Sequence, residues 1–319
     1  MTGINAESAA AALSVWRIHP ARIRPDLDIT GSPERTLARV VVEDEAGALF
    51  ILERLDPAVL ERKREIARAV AALAADLPEV LPFLAAETGE TVVKTEAGFF
   101  QVSRYIPGVA LPRPEYLDQA WRGPALADFL VRLRRSEAAG TLASAGGSGF
   151  SLATFIRRFA SRLAEHEPAL LERVRPALEH LGKSLFLRED ALPQAFAHGD
   201  YHPLNIVWSA EGIRAVIDWE FCGRKLELYD AAILVGCLGM EHPRALGEDI
   251  VVAAIGRLRA SGAFAAESWA DFFDLVLGLR FAWLSDWLKR KDAEMIDLEA
   301  VYIELLLRNK DILLRNWGL

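Results

Sequence analysis

The segment HGDYHPLN, residues 198–205, places two histidines, an aspartate and an asparagine close together in the chain. In a regular strand, His198, Asp200 and His202 would share one face and could bind zinc or iron for a metal-assisted hydrolysis. The glycine and the proline inside the segment disfavour such a strand. A second interpretation is a plain polar turn, because aspartate and asparagine side chains readily bond to nearby backbone.

A third interpretation is phosphoryl transfer, and it depends on the spacing of Asp200 and Asn205. This reaction needs a carboxylate that orients a hydroxyl and accepts its proton, together with oxygen ligands for Mg²⁺. Asp200 would be that carboxylate, and Asn205 would be one of the metal ligands. The segment alone leaves all three interpretations open.

The nearby segment AVIDWE, residues 215–220, supplies a second oxygen ligand. Its apolar start predicts a strand that ends in Asp218, and LNIVW at residues 204–208 predicts another strand. The short AEG sequence between them is typical of a turn, so we expect a hairpin whose open end brings Asn205 close to Asp218. This pairing makes phosphoryl transfer the preferred interpretation.

The rest of the chain divides into a strand-rich part and a helical part. After residue 108, most segments show the apolar spacing of helices. We therefore expect an α+β protein with two lobes, a small β-rich lobe at 1–107 and a larger α-helical lobe at 108–319. The strand-rich part contains predicted strands at 35–44 and 47–55, a helix at 57–77 and a hairpin at 90–108.

Composition and charge narrow the possible partners. Hydrophobic residues make up 52% of the 319-residue chain, which predicts a folded globular protein, and the net charge of −8 argues against nucleic acid or an anionic membrane as partner. Cys222 and Cys237 are too few for a disulfide framework, and no apolar run approaches the roughly 20 residues of a membrane span. We expect a cytoplasmic protein; its oligomeric state is not indicated.

Three motifs together resemble those of the aminoglycoside phosphotransferase and choline kinase-like family. They are His198-Gly199-Asp200 with Asn205, Ile217-Asp218-Trp219-Glu220, and Leu228-Tyr229-Asp230. The resemblance implies a protein-kinase-like fold. It also implies transfer of the γ-phosphate of ATP, with GTP as an alternative, to a hydroxyl of a small molecule. The family's acceptors include amino alcohols, sugars, homoserine and aminoglycosides.

The resemblance also implies roles for individual residues. Asp200 would be the catalytic base, and Asn205 and Asp218 would bind Mg²⁺ with the nucleotide. His198, Glu220 and Asp230 would support the loops. The implied nucleotide-binding residues are Gly31 and Ser32 in a turn over the phosphates, Ser103, Arg104 and Ile106 around the base, and Ile51 and Glu65 in the N-terminal lobe.

One position departs from the family pattern. Where the family has a lysine on the third strand, paired with a helix glutamate, this chain has Glu53. Glu65 is the expected helix glutamate, and two facing carboxylates would repel each other. Strand alternation directs Arg54 to the opposite face. The basic residues that could compensate are Arg54 on a bulge, Lys63, Lys94 and Arg39.

The helical lobe is expected to hold the acceptor pocket. Helical spacing places Trp283, Asp286 and Trp287 on one face, and these residues with His202 are candidate substrate contacts. An aromatic stripe is also typical of a helix that packs in a core. Two other functions stay open: a non-catalytic kinase-like binding or regulatory protein, suggested by the missing lysine, and a metallohydrolase built on the histidine segment.

Overall fold

A computed structural model provides the structure of the chain and describes residues 3–29, 36–145 and 149–319. The chain forms two compact units. The first comprises Met1–Leu111 with Leu204–Phe221, and the second comprises Pro112–Pro203 with Cys222–Leu319. The expected phosphate turn at Gly31 and Ser32 lies outside the described residues.

The strands and helices follow one another in a mixed order. The strands are β1 (Pro20–Ile23), β2 (Thr36–Asp44), β3 (Leu49–Leu55), β4 (Val92–Thr95), β5 (Gly98–Arg104), β6 (Gln194–Ala197), β7 (Ile206–Trp208), β8 (Ile213–Val216) and β9 (Gly223–Leu226). The helices are α1 (Ala6–Leu13), α2 (Leu60–Leu73), α3 (Arg122–Arg135), α4 (Glu137–Ala145), α5 (Leu152–His166), α6 (Pro168–Gly182), α7 (Leu185–Arg188), α8 (Tyr229–Glu241), α9 (Asp249–Ala260), α10 (Ala266–Ala270), α11 (Phe272–Arg290), α12 (Ala293–Arg308) and α13 (Lys310–Trp317).

The first unit is built on one antiparallel sheet with strand order β1-β2-β3-β5-β4. The turn between β2 and β3 is set by Asp44, whose carboxylate accepts from the backbone N–H groups of Ala46 and Ala48. Gly47 has φ 82° in this turn, a backbone conformation that glycine adopts without steric cost. The predicted strands at 35–44 and 47–55 are thus present as the antiparallel pair β2 and β3.

One face of the sheet carries the core of the first unit. Alternate residues of β3 and β5 point to this face because side chains alternate along a strand. They pack with α1 and the chain around Ala86 into one buried cluster. The sheet contributes Val42, Phe50, Leu52, Phe100 and Val102 to this cluster.

The β7–β8 hairpin belongs to the first unit, although it lies about a hundred residues later in the chain. The backbone N–H of Val216 donates to the carbonyl of Glu79, and that of Val109 donates to the carbonyl of Trp208, both at 2.9 Å. The expected division at residue 107 therefore differs from the observed one. These bonds join residues far apart in sequence, which a composition-based boundary does not register.

The second unit is mostly helical, and α8 and α11 lie at its centre. Both helices are apolar on nearly all sides and bury most of their side chains, as central helices do. Arg280 on α11 and Glu299 on α12 form a two-pronged ion pair with N···O distances of 2.6 and 2.7 Å. Neither side chain is more than 3% exposed.

The predicted fold class is confirmed: an α+β protein with a sheet in the N-terminal region and helices in the C-terminal region. The predicted helix at 57–77 is shorter than expected, because Pro57 begins a 3₁₀ turn and the α-helix runs only from Leu60 to Leu73. In the described parts of the chain, no helix has the length and apolar character needed to cross a membrane.

Candidate active site

The HGD loop starts directly after β6, in the second unit, and Asp230 anchors its backbone. The N–H groups of His198 and Gly199 donate to the two carboxylate oxygens of Asp230, each at 2.7 Å. Asp230 lies in the first turn of α8 and is 5% exposed. Because both oxygens of one carboxylate bind successive N–H groups, the start of the loop is held against the first turn of α8.

Asp230 has an unusual pKa. Burial raises its pKa to about 6, and the two N–H donors from Gly199 and His198 oppose this shift. The nearby Lys225 ammonium also lowers the pKa, whereas the Asp200 carboxylate raises it. Asp230 is therefore ionised at pH 7, at a cost to the folded state that its hydrogen bonds only partly offset.

His198 is fully buried beneath the same loop. Its ring Nδ1 accepts a hydrogen bond from the backbone N–H of Asp200 at 3.2 Å. The ring also lies edge-on to Tyr201, whose hydroxyl donates to the carbonyl of Leu126 at 3.1 Å. These contacts fix the backbone on either side of Asp200 and leave the imidazole facing the interior.

The Asp200 side chain begins a row of polar and aromatic groups within the second unit. Its Oδ2 lies 3.5 Å from Nε2 of His202, and both side chains are mostly buried. The His202 ring meets Trp283 edge-on at a centroid distance of 6.2 Å, and Trp283 stacks with Trp287 at 6.2 Å. The predicted substrate residues His202, Trp283 and Trp287 therefore lie in one continuous row that starts at Asp200.

Arginines already lie beside the two tryptophans of this row. The guanidinium of Arg280 is 5.7 Å from the ring centroid of Trp283, and that of Arg290 is 5.4 Å from Trp287. Asp286 pairs with Arg290 at 2.8 Å. Its carboxylate thus has a cation partner from one helical turn further along α11.

Asn205 and Asp218 lie at the open end of the β7–β8 hairpin, in the first unit. The backbone N–H of Ile217 donates to the carbonyl of Asn205 at 3.0 Å, which joins the two segments just before Asp218. The strand itself ends at Val216, two residues earlier than predicted. Asp218 has φ 63°, an uncommon value for a residue with a side chain and one that is often found at functional sites.

A buried ion pair holds the turn that follows Asp218. Lys63 of α2 binds the carboxylate of Glu220, and the Lys63 side chain is 4% exposed and that of Glu220 17%. The neighbouring Arg62 donates to the backbone carbonyl of Glu220 at 3.1 Å. Glu220, predicted to support a loop, is thus bound to α2 through both its side chain and its backbone.

Glu53 lies within the electrostatic reach of the same turn. Burial raises the pKa of Glu53, the ammonium of Lys63 opposes this shift, and the carboxylates of Glu220 and Asp218 add to it. The expectation that Glu65 faces Glu53 is wrong: Glu65 lies on the exposed side of α2 and pairs with Arg62. Helical geometry directs Lys63, two residues earlier, to the buried side instead.

The residues predicted to bind the nucleotide base, Ser103, Arg104 and Ile106, lie at or just after the C-terminal end of β5. Ile51 of β3 pairs with Ser103 of β5 in the antiparallel register, and β5 ends at Arg104. The Arg104 guanidinium lies 6.0 Å from the ring of Phe50. Ile106 follows in irregular chain. The structure thus brings Ile51 and Ser103 together, while the contacts of all these residues with a nucleotide stay predictions.

The side-chain oxygens of Asn205 and Asp218 are of the kind that Mg²⁺ prefers, whereas the histidine segment is poorly suited to zinc. In the portions of the chain described, no group of three or more histidine, cysteine, aspartate or glutamate side chains is arranged to hold a metal ion. His198 uses its Nδ1 within the loop. Asn205 and Asp218 fit a metal that takes its remaining ligands from nucleotide phosphates and water.

The sheet-bearing first unit, the helical second unit and the anchored HGD loop are the features of a protein-kinase-like phosphotransferase. The sequence pattern of the phosphotransferase enzyme family (APH) matches residues 33–272. The chain belongs to this family.

Solved structures of small-molecule kinases share the fold. A choline/ethanolamine kinase family protein from Mesorhizobium loti is 18% identical, with a TM-score of 0.61 over 98% of this chain and 97% of that one. The GDP complex of aminoglycoside 2'-phosphotransferase-IIIa is 15% identical, with a TM-score of 0.65 over 95% and 98%. The amicoumacin kinase hAmiN, in complex with AMP-PNP, Ca²⁺ and Ami, is 12% identical, with a TM-score of 0.62 over 95% and 93%. No curated protein matches the sequence.

Sequence reasoning missed one polar residue on the sheet. Gln101 of β5 is directly opposite Glu53 and is fully buried. Its side-chain nitrogen and oxygen have no hydrogen-bond partner among the described residues. The sequence offered only a weak signal, a glutamine in the middle of the apolar strand FFQV. Cross-strand neighbours share a face, so Gln101 and Glu53 form a polar pair there.

Proposed function

We propose that this protein transfers the γ-phosphate of ATP to a hydroxyl of a small molecule, with Mg²⁺ as its metal. The observation that carries the proposal is the anchoring of the HGD loop, in which Asp230 and His198 together bind three successive backbone N–H groups up to Asp200. Such a loop presents one carboxylate in a fixed position, as phosphoryl transfer requires. GTP is the alternative donor.

Asp200 has the role of catalytic base in this proposal. Its carboxylate orients the acceptor hydroxyl and takes its proton as the hydroxyl oxygen bonds to the γ-phosphorus. The bond between the γ-phosphorus and the oxygen that joins it to the β-phosphate breaks, and the nucleoside diphosphate leaves with the electron pair. His202, 3.5 Å from Asp200, is placed to steady the carboxylate.

Asn205 and Asp218 would hold Mg²⁺, which when bound neutralises phosphate charge. The bond from Ile217 to the Asn205 carbonyl keeps their two segments side by side. In this proposal the N-terminal lobe at 1–107 binds the nucleotide, and 108–319 carries the HGD loop and the acceptor pocket. The acceptor would meet the row formed by His202, Trp283 and Trp287.

The test is a phosphate-transfer screen with purified protein. Radiolabelled ATP and GTP are each offered with Mg²⁺ to amino alcohols, sugars, homoserine, aminoglycosides and macrolides, and labelled product is separated from the nucleotide. We expect transfer to at least one acceptor class. Asp200→Asn should reduce kcat by roughly 10²- to 10⁴-fold with little change in nucleotide affinity, since it removes the proton acceptor alone.

An unchanged kcat in Asp200→Asn would contradict the role of Asp200. Glu211→Gln is the matched control, because Glu211 is an exposed carboxylate in the β7–β8 turn. We expect this control to retain full activity.

A second candidate function is a non-catalytic nucleotide- or ligand-binding protein. The observation that favours it is Glu53 on β3, an acidic residue where the family has a lysine, whose pKa is raised by burial and by the Asp218 carboxylate. Calorimetric titration of the protein with ATP, in the presence and absence of Mg²⁺, separates the two candidate functions. Binding without any turnover across the acceptor panel would support the second candidate. Absence of binding at millimolar ATP would contradict the kinase proposal.

A further inference from the structure

The turn after Asp218 is bound from one side by the first turns of α2. The Lys63 ammonium binds the Glu220 carboxylate, and the Arg62 guanidinium binds the Glu220 carbonyl at 3.1 Å. Two adjacent residues of α2 therefore bind both the side chain and the backbone of Glu220. Asp218 lies two positions before that residue, in a left-handed backbone conformation.

Lys63 also lies close to several acidic side chains. The carboxylates of Glu220 and Asp218 both act on Glu53 and raise its pKa, whereas the Lys63 ammonium lowers it. A lysine with 4% of its side chain exposed is costly to bury unless carboxylates compensate its charge. The carboxylates are likewise costly to bury without a nearby cation. The Lys63 ammonium therefore stabilises the packing of these acidic side chains around the turn.

Other basic residues near the sheet have contacts of their own, and one of them, Arg39, is also the cross-strand neighbour of Glu53 and lowers its pKa. Arg39 donates to the backbone carbonyl of Ile29 at 3.1 Å. Lys94 is exposed on β4 and lies over the ring of Phe99. Arg54 follows Glu53 on β3, and its side chain runs beside Gly98, the first residue of β5, where an added Cβ would lie 3.6 Å from the Arg54 Cδ.

We propose that Lys63 is a positioning residue for Asp218, which it holds through Glu220 in the conformation that binds Mg²⁺ with the nucleotide. The inference rests on the proposed function, because it assigns Asp218 to the metal. The cation, Lys63, lies on α2. The carboxyl groups lie on β3 (Glu53) and in the turn after β8 (Asp218 and Glu220). Lys63 then acts on the metal ligand and has no contact with the phosphate.

The test compares the Mg²⁺ dependence of ATP binding in the full-length wild type and in Lys63→Met. Calorimetry gives the ATP affinity without metal and at increasing Mg²⁺. We expect Lys63→Met to raise the Mg²⁺ concentration for half-maximal binding by at least about tenfold, as loss of support behind a metal ligand does. Metal-free ATP affinity should change less than about twofold. The matched control is Arg68→Met, which removes an exposed cation from the same helix.

A fall in metal-free ATP affinity as large as the fall with Mg²⁺ would overturn the proposal, since it would indicate direct contact between Lys63 and phosphate. An Mg²⁺ dependence equal to that of the wild type would also overturn it. Wild-type protein that binds no ATP at any Mg²⁺ concentration would instead remove the proposed function on which the inference rests. The two failures are therefore distinguishable.

A double variant, Lys63→Met with Glu220→Gln, guards against simple misfolding. It removes both charges of the ion pair and leaves no unpaired buried carboxylate at Glu220. We expect a thermal midpoint closer to wild type than that of the single variant, while the tenfold change in Mg²⁺ dependence persists. Recovery of the wild-type Mg²⁺ dependence would show that unpaired charge caused the defect, and would overturn the positioning role.

Discussion

The substitution Asp230→Asn separates the stability of the HGD loop from its function. Asp230 accepts from the N–H groups of His198 and Gly199, each at 2.7 Å, and its pKa is raised from 3.8 to about 6, chiefly by burial. That shift already includes the favourable effect of both donors. At about 1.4 kcal/mol per pKa unit, ionised Asp230 costs the fold about 3 kcal/mol at pH 7.

A neutral asparagine removes this cost but can accept from only one of the two N–H groups. The other is left facing an amide NH₂, at a cost of about 1–3 kcal/mol. The first effect is at least as large as the second, so we expect Asp230→Asn to be as stable as the wild type at pH 7, or more stable by up to about 2 kcal/mol. One loop tether is nevertheless lost, and kcat should fall about 10- to 100-fold through misplacement of Asp200.

The pH dependence of stability shows whether ionised Asp230 stabilises or destabilises the folded state. A carboxyl with a raised pKa contributes stability that is complete below its unfolded pKa of 3.8 and is lost as pH rises through about 6. Between pH 7 and pH 5 the wild type should therefore gain about 1.4 kcal/mol from this group, and Asp230→Asn should gain none. The variant's advantage at pH 7 should shrink or reverse at pH 5.

Urea unfolding followed by far-ultraviolet circular dichroism at both pH values measures this difference, and steady-state kinetics measure kcat. Asp249→Asn is the control, because Asp249 is an exposed aspartate in the first turn of α9. A loss of more than about 1 kcal/mol at pH 7, or an equal pH response in Asp230→Asn and wild type, would refute the reasoning.

Three further outcomes are expected. Asp218→Asn should weaken ATP binding at least about tenfold with Mg²⁺ and little without it, as measured by calorimetry. Arg280→Met should lower the free energy of unfolding by about 3–5 kcal/mol, because the Glu299 carboxylate stays buried without its cation; addition of Glu299→Gln should restore most of that loss in urea unfolding. Gly123→Ala should cost at least about 2 kcal/mol, because the new Cβ would lie 2.1 Å from the carbonyl oxygen of Ile250 and α3 would have to move from α9; an unchanged thermal midpoint would contradict this.

The fold class and the two short motifs were predictable because they depend on local sequence. Strands β2 and β3 were predictable from apolar runs rich in valine, isoleucine, leucine and phenylalanine, and the β7–β8 hairpin from two apolar segments around a turn. Asp200 and Asn205 stand out through their spacing alone. These signals come from residues only a few positions apart, so they are visible in the sequence without knowledge of the fold.

The environment of Glu53 was not predictable in the same way. Glu65 and Lys63 are two residues apart on α2, and the sequence did not determine which of them points inward. The rotation of α2 about its axis decides this, and it depends on the packing of Ile66, Val70 and the turn at Glu220. Gln101 was overlooked for a related reason, since only the strand register places it opposite Glu53.

The sequence by itself determined that this chain is a two-part α+β protein, and it identified HGDYHPLN and AVIDWE as the segments on which the proposal of phosphoryl transfer rests. Local propensity and spacing suffice for that, because they act between near neighbours. Only the tertiary structure decided that residues 204–221 belong to the first unit and that Lys63 grips Glu220. Those contacts join residues about a hundred or more positions apart, and their energy depends on burial and pairing that exist only in the folded chain.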